Sequence, residues 1–144
     1  MILAQNHVID PSIAIKWFLP EINSTQARSF FTTNHVWHIP ELFYLEFTSI
    51  LSKKYRKREL DEFEVRKIYH IVRKLPFKIH SDHDLLDDAL KLSIMTQTPI
   101  YDCLYLALSI QLKLEFVTAD KRFARQLKDF SLDKYVLTLE TIEI

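Results

Sequence analysis

Four acidic residues in this chain occupy positions from which carboxylates could perform chemistry: Asp10, Glu46, Asp102 and Asp120. Asp10 ends the β-rich stretch 8–10, and Asp120 ends a second one at 116–120. Each of these two residues could instead simply begin the helix that follows it, since Asp is a preferred N-cap residue. Taken singly, neither position therefore distinguishes capping from chemistry.

Glu46 and Asp102 are harder to explain as structural residues. Glu46 shares a helical stripe with Phe43 and Ile50, where a carboxylate is costly to bury unless something compensates it. Asp102 lies in the segment 99–108, which is apolar on nearly every side. Two structural explanations stay open: Glu46 reaching solvent at the edge of its stripe, and the helix dipole favouring an acid near the start of the Asp102 helix.

If the fold brings the four carboxylates to one cleft, their mutual repulsion must be relieved by protonation or by a bound cation. Two carboxylates about 4 Å apart repel by about 4 kcal/mol at an effective dielectric constant of about 20. Oxygen ligands without a set of thiolates favour Mg²⁺ or Mn²⁺ over zinc. Such an ion would polarise a phosphodiester, activate a water and hold the leaving oxygen, so phosphodiester hydrolysis is the leading reaction.

The elements that must position these residues alternate between short strands and longer helices. Strands are predicted at 6–9, 36–39, 77–80, 115–118 and 135–139. Helices are predicted at 11–19, 24–33, 41–56, 61–75, 82–96, 100–112 and 121–128. This alternation predicts an α/β fold of three layers, α/β/α, with a central, mostly parallel sheet of four to five strands. In such sheets ligands bind beyond the carboxyl ends of the strands, which is where Asp10 and Asp120 lie.

Composition excludes several function classes. The 144 residues include no glycine, where average usage would give roughly ten. A Walker A loop, a dinucleotide-binding turn and a G-x-S-x-G nucleophile elbow all need glycine, so none is present in its usual form. The lone Cys103 cannot form an internal disulfide, no apolar stretch is long enough for a membrane span, and 19 basic residues balance 19 acidic ones. We expect one cytoplasmic domain over residues 1–144, with no membrane partner.

Four segments, in order along the chain, resemble PIN-domain proteins of the VapC toxin type. They are residues 8–21 (VIDPSIAIKWFLPE), residues 40–42 (PEL) leading to Glu46, residues 101–102 (YD) and residues 117–120 (VTAD). The resemblance implies a PIN-like fold and a metal-dependent endoribonuclease, usually a homodimer, which pairs with a small antitoxin of the VapB type. It also implies that Asp10, Glu46, Asp102 and Asp120 are the acidic metal-site residues. Of these, Asp10 and Asp102 are expected to bind the metal directly, and the hydroxyls of Ser12 and Thr118 are expected to support the site.

The chain departs from the family pattern at two places. Family members often have a glycine before the fourth strand, where this chain has Lys113 followed by Leu114. Some members carry a further acid just after the fourth Asp, whereas Lys121 and Arg122 follow Asp120 here. A site completed by that extra acid is therefore not expected.

An RNA substrate would need a local cationic surface, because the chain has no net charge. The densest basic run is residues 53–58, at the end of the Glu46 helix, where a solvated charged face or a favourable helix-dipole interaction explains it equally well. Other cations lie closer to the predicted cleft. The candidate RNA contacts are Lys16, Lys53, Lys54, Arg56, Lys121 and Arg122.

Two other functions stay open. An aspartyl-nucleophile phosphohydrolase would also place an Asp where Asp10 stands, although such enzymes normally have a second Asp at the position of Ser12. A PIN-like module that binds RNA or protein without cutting is the other alternative, against which the four acids argue. Self-association through an apolar helix surface is expected from the many aromatic residues, which could equally fill the core: Trp17, Phe30, Phe31, Phe43 and Phe47.

Overall fold

A computed structural model describes residues 4–20, 24–29 and 34–139 of the chain. Within these ranges the strands are β1 (Gln5–Ile9), β2 (His35–Pro40), β3 (Lys78–His80), β4 (Phe116–Thr118) and β5 (Val136–Thr138). The helices are α1 (Pro11–Ala14), α2 (Ser24–Ser29), α3 (Leu42–Arg56), α4 (Glu62–Lys74), α5 (Asp82–Thr96), α6 (Ile100–Leu112) and α7 (Lys121–Leu127). Short 3₁₀ turns follow at Ile15–Trp17, Lys128–Phe130 and Asp133–Tyr135.

The five strands form one sheet in the order β3-β2-β1-β4-β5, and every neighbouring pair is parallel. The predicted α/β/α architecture with a central parallel sheet is thus confirmed. The chain adds strands on one side of β1 and then returns to add β4 on the other side. Beyond the carboxyl ends of β1 and β4 lies the topological switch point, where open parallel sheets bind their ligands.

Both faces of the sheet are covered by helices, and β1 contributes to both layers. Ile9 is fully buried in a core cluster built with helices α1, α3 and α4. Val8 is fully buried in the opposite cluster, with α5, α6 and α7. Successive side chains of a strand point to opposite faces, so a strand covered on both faces is apolar at consecutive positions.

The predicted helix at 11–19 is shorter than expected. Asp10 caps α1, but regular α-helical bonding ends at Ala14 and continues as the 3₁₀ turn Ile15–Trp17. Leu19 precedes Pro20, and a residue before proline is disfavoured in the α region. The predicted helix at 24–33 is observed as α2, and its remainder at 30–33 lies outside the described residues.

The aromatic residues expected on an apolar surface mostly fill the core. Phe43 and Phe47 are fully buried, and the Trp17 ring packs 5.5 Å from that of Trp37. The alternative explanation is therefore correct for Phe43 and Phe47, whereas Trp17 is half-buried and packs against the same core. Phe30 and Phe31 lie outside the described residues.

Residues other than glycine take the left-handed positions that end several helices. The backbone has positive φ at Arg58, Gln97, Lys113 and Ser131. Lys113, with φ 57°, ends α6 in the left-handed conformation and makes the turn into β4 without a glycine. Of the helices in the described ranges, none combines the length and the apolar character needed to cross a membrane.

Candidate active site

A cleft of about 380 Å³ opens beside the switch point between β1 and β4. All four acidic residues singled out in the sequence line it: Asp10, Glu46, Asp102 and Asp120. They come from four separate elements, since Asp10 follows β1, Glu46 lies on α3, Asp102 is in the first turn of α6 and Asp120 follows β4. The fold thus gathers carboxylates that are distant in sequence.

Asp10 is held by three donors. Its Oδ1 accepts hydrogen bonds from the Ser12 backbone N–H at 3.0 Å and from the Ser12 hydroxyl, and its Oδ2 accepts one from the Thr118 hydroxyl at 2.6 Å. The Ser12 oxygen accepts in turn from the Ala119 N–H, and the Thr118 oxygen from the Asp120 N–H, both at 3.1 Å. This network ties the end of β1 to the end of β4 and fixes the Asp10 carboxylate between them.

Asp10 and Asp120 each cap a helix and also line the acidic cleft, so the two roles do not exclude each other. Asp10 caps α1 through its bond to Ser12, and Asp120 caps α7 by accepting from the Phe123 N–H at 3.0 Å. Both also line the cleft. A cap satisfies only part of a carboxylate's accepting capacity, so the same side chain retains lone pairs for other partners.

Burial raises the pKa of Asp10 to about 6. The hydrogen bonds from Ser12 and Thr118 oppose this shift because they favour the ionised form, whereas the negative charge of Glu46 adds to it. Asp10 therefore holds a proton more tightly than an ordinary aspartate despite its three donors. A cation at the site would lower that pKa by favouring the ionised form.

Glu46 is half-buried and is bonded to a residue that the sequence did not single out. Its Oε1 accepts a hydrogen bond from the hydroxyl of Tyr105 at 2.6 Å. Burial raises the pKa of Glu46, the Tyr105 bond opposes that rise, and the charges of Asp102 and Asp82 add to it. Burial raises the pKa of Tyr105 as well, so this hydroxyl acts as a donor.

A signal for Tyr105 did exist in the sequence. It lies three residues after Asp102, which places both on one face of a helix. Tyr105 also lines the acidic cleft.

Asp102 has no hydrogen-bonding partner among the described residues. Its side chain is nevertheless half-buried in the wall of the cleft. Pro99 occupies the N-cap position of α6, so Asp102 does not cap its helix. Burial raises the pKa of Asp102 to about 6, and repulsion from Asp120 and Asp10 contributes further. A half-buried carboxylate held among other carboxylates is stabilised by a cation.

The predicted RNA contacts divide into two groups. Lys16, Lys53 and Lys54 line a second cleft, which adjoins the acidic one. The other three do not line it: Arg56 is exposed and donates from Nη1 to the Ser52 hydroxyl at 2.6 Å, Lys121 lines a separate depression beside α7, and Arg122 is exposed.

As the described side chains stand, no three of Asp, Glu, His or Cys converge closely enough to hold one metal ion between them. The donor chemistry of the acidic cleft nevertheless suits a hard cation, because its walls offer carboxylate and hydroxyl oxygens. Mg²⁺ usually keeps several waters and takes only one or two carboxylates directly. The cleft therefore fits an ion that is bound largely through water.

Comparison with known proteins places the chain among related sequences and folds. The PIN domain family matches residues 7–127. Ribonuclease VapC3 of Pyrobaculum aerophilum is 27% identical over 123 residues, which cover 83% of this chain and 92% of that protein.

Two solved structures share the fold. A toxin-antitoxin complex from Klebsiella pneumoniae superposes with a TM-score of 0.60 at 19% identity, covering 96% of this chain and 99% of that one. A second protein of Pyrobaculum aerophilum superposes with a TM-score of 0.66 at 18% identity, covering 96% and 85%.

Proposed function

Because the chain belongs to the PIN domain family, we propose that it is a metal-dependent endoribonuclease and the toxin of a toxin-antitoxin pair, with residues 1–144 forming one PIN domain. The observation that carries this proposal is the convergence of four carboxylates on one cleft. The relative named Ribonuclease VapC3 supports RNA as the substrate. An enzyme that cuts cellular RNA acts in the cytoplasm, which we propose as its location.

The cofactor of this proposal is Mg²⁺ or Mn²⁺. Asp10 and Asp102 would hold the ion most directly, with Glu46 and Asp120 completing the negative field around it. When bound, the ion polarises the phosphodiester and lowers the pKa of a coordinated water. Its charge also offsets the repulsion that raises the pKa of Asp102.

The chain's own residues then orient the reaction. Ser12 and Thr118 keep the Asp10 carboxylate in one rotamer through their hydrogen bonds. Glu46 has a raised pKa and is fixed by Tyr105, so it is suited to accept a proton from the attacking water. Asp120, which lines the cleft and is exposed, adds its negative charge to the field on Asp102.

The protein partner of this proposal is a small antitoxin of the VapB type. The structural relative from Klebsiella pneumoniae is a toxin-antitoxin complex, which supports a partner of this kind. Induction of the wild-type chain should stop bacterial growth, whereas Asp102→Asn expressed to the same soluble level should not. Equal growth of the two strains would contradict the toxin assignment.

We also propose a homodimer, formed through α5. Large apolar side chains are exposed along this helix at Leu86, Leu90 and Ile94, which recur every four residues and so form one stripe. The ion pair between Asp87 and Lys91 flanks the stripe. Two copies of α5 packed antiparallel about a two-fold axis would bring Lys91 of each copy towards Asp87 of the other.

Cleavage of RNA tests the proposed activity directly. Purified wild type should cut total bacterial RNA with Mg²⁺ or Mn²⁺ and should stop on addition of EDTA. Asp102→Asn should be inactive, and Asp129→Asn, which removes an exposed carboxylate outside the cleft, should cut normally. RNA binding without cleavage would instead support the non-catalytic module. Release of phosphate from a phosphomonoester without RNA cleavage would support the phosphohydrolase.

A further inference from the structure

A second cleft, of about 330 Å³, adjoins the acidic one and carries the opposite charge. Ser12 and Ile50 line both clefts, so the two are contiguous. Four lysines line the second cleft against a single acidic residue, Glu59: Lys16, Lys53, Lys54 and Lys57. We call it the lysine cleft.

Helix α3 connects the two clefts along one of its faces. Glu46 lies in the acidic cleft, Ile50 lines both, and Lys53 lies in the lysine cleft. These residues are spaced by four and three positions, which places them in one row on the helix surface. At 1.5 Å per residue, Lys53 stands about 10 Å further along the axis than Glu46. A bound strand following this row passes from the carboxylates to the lysines within a few nucleotides.

Lys53 and Lys57 supply positive charge on the exposed side of the lysine cleft. Glu59, its one carboxylate, accepts from Lys54 Nζ at 3.3 Å. Lys53 and Lys57 are exposed, whereas Lys16 is only 8% exposed and forms part of the wall. The long apolar stems of lysines pack along such walls and leave the ammonium groups at the open side.

An anionic substrate needs this positive surface because the acidic cleft repels it. A metal ion can offset that repulsion only at the phosphate being hydrolysed. The neighbouring phosphates of the same strand still meet the field of the carboxylates, and cations placed a short distance away compensate it. The two contiguous clefts have the charge arrangement that such a substrate requires.

We propose that the lysine cleft binds backbone phosphates of the RNA strand next to the one that is hydrolysed in the acidic cleft, an inference that rests on the proposed ribonuclease function. Lysine is a flexible point charge that contacts phosphate without reading bases. Contacts to phosphates therefore fix the register of the strand in the acidic cleft. The lysine cleft lies on one side of the acidic cleft, so the nucleotides on that side of the hydrolysed phosphate contribute more to binding than those on the other side.

Salt dependence of RNA binding tests the lysine cleft. Asp102→Asn serves as the cleavage-deficient parent, and Lys53→Gln and Lys57→Gln are introduced into it singly and together. Anisotropy of a fluorescein-labelled oligouridine RNA, with Mg²⁺ present, gives Kd across a tenfold range of NaCl concentration. Arg56→Gln is the matched control, because it removes one positive charge from the same helix without touching the cleft.

Each lysine that contacts a phosphate should contribute about 0.7 to the slope of log affinity against log salt. Lys53→Gln should flatten that slope by about 0.7 and the double variant by about 1.4. The ratio of variant Kd to parent Kd should then fall about fivefold per lysine for a tenfold rise in salt. Arg56→Gln should leave the slope of the parent unchanged, and all variants should keep the parent's melting temperature.

The inference is overturned if the lysine variants retain the parent's slope, or if Arg56→Gln flattens it as much as they do. In the cleaving background, Lys53→Gln should raise KM and leave kcat unchanged, as expected when binding is lost equally from ground state and transition state. Cleavage by wild type with unchanged slopes would refute the lysine cleft alone. Flattened slopes with no cleavage by wild type would refute the ribonuclease function and retain the lysine cleft.

Discussion

The Tyr105 hydroxyl donates a hydrogen bond to Oε1 of Glu46 across 2.6 Å, and this contact joins α6 to α3 inside the acidic cleft. The Tyr105 ring stacks on that of Phe116 in β4, with centroids 5.2 Å apart and planes 12° from parallel. The hydroxyl is therefore positioned by core packing rather than by solvent. The orientation of Glu46 depends in turn on that packing.

Tyr105→Phe should lower both stability and activity. It removes the donor to Glu46 and leaves a half-buried carboxylate oxygen without that partner, which costs about 1–3 kcal/mol of unfolding free energy. Because the Tyr105 bond lowers the pKa of Glu46, its loss should raise that pKa and move the acid limb of the cleavage profile to higher pH. Urea denaturation and a pH profile of kcat/KM measure the two effects.

Tyr101→Phe is the matched control for that experiment. Tyr101 lies one turn earlier on α6 and its side chain is 58% exposed. Its substitution should change neither the unfolding free energy nor the pH profile. An unchanged profile in Tyr105→Phe would show that the bond is purely structural.

Asp102→Asn should stabilise the metal-free protein. The carboxylate has no hydrogen-bonding partner among the described residues, and it is repelled by Asp120 and Asp10. Its pKa rises from an ordinary 3.8 to about 6 on folding, so the folded state binds more protons than the unfolded state between these values. Stability contributed by Asp102 is therefore present at low pH and is lost as pH rises through about 6.

Thermal melts at several pH values test this prediction. The variant should melt at the same temperature as wild type near pH 4 and above it at pH 7, by about 2–4 °C per kcal/mol of relieved repulsion. Added Mg²⁺ or Mn²⁺ should raise the melting temperature of wild type more than that of the variant. A lower melting temperature in Asp102→Asn at pH 7 would mean that repulsion does not dominate at this position.

Thr118→Val should reduce activity most at acidic pH. The Thr118 hydroxyl donates to Asp10 and lowers its pKa, so its loss should raise that pKa above about 6. A proton on Asp10 then competes with the cation, and cleavage at limiting metal should fall more at pH 6 than at pH 8. Thr48→Val is the control, because the Thr48 hydroxyl bonds only to carbonyls of its own helix. Equal losses at both pH values would contradict the electrostatic explanation.

Leu90→Glu should convert a dimer to a monomer without unfolding it. Leu90 lies at the centre of the exposed stripe on α5 and is 55% exposed, so the substitution places a charge in the proposed interface and leaves the core intact. Light scattering should give twice the chain mass for wild type and the chain mass for the variant. Leu45→Glu, at a 70% exposed position on α3, should stay dimeric. A monomeric wild type would refute the interface.

The regular elements were predictable from sequence because their signals are local. The pattern of apolar spacing placed all five strands, and the capping box of Asp61 with Glu64 marked the start of α4. The exposed stripe on α5 was not predicted, since the total of aromatic residues does not reveal which of them the core absorbs. The bond from Tyr105 to Glu46 joins residues 59 positions apart. Such contacts depend on how helices pack, which sequence spacing does not determine.

In the candidate site, too, local signals identified individual residues, whereas contacts between distant segments were not predictable. Strand ends and helix starts pointed to Asp10 and Asp120 individually, and the parallel topology supplied the reason for them to meet. The basic run at 53–58 could not be resolved from sequence into residues that line a cleft and residues that do not. Lys53 and Arg56 differ by only three positions, yet only Lys53 lines the cleft beside the carboxylates.

The absence of glycine also acts on the unfolded chain. On folding, a glycine loses backbone entropy worth about 0.5–1 kcal/mol more than an alanine does. A chain without the roughly ten glycines of average composition therefore has an entropic cost of folding that is lower by about 5–10 kcal/mol. Left-handed backbone at residues other than glycine costs roughly 1–2 kcal/mol each, and four such residues end helices here. The two effects are opposite in sign and similar in size. The conformational cost of the four left-handed residues is thus offset by the lower entropy of the unfolded chain. This second contribution belongs to the unfolded state, so it is not visible in the contacts of the folded structure.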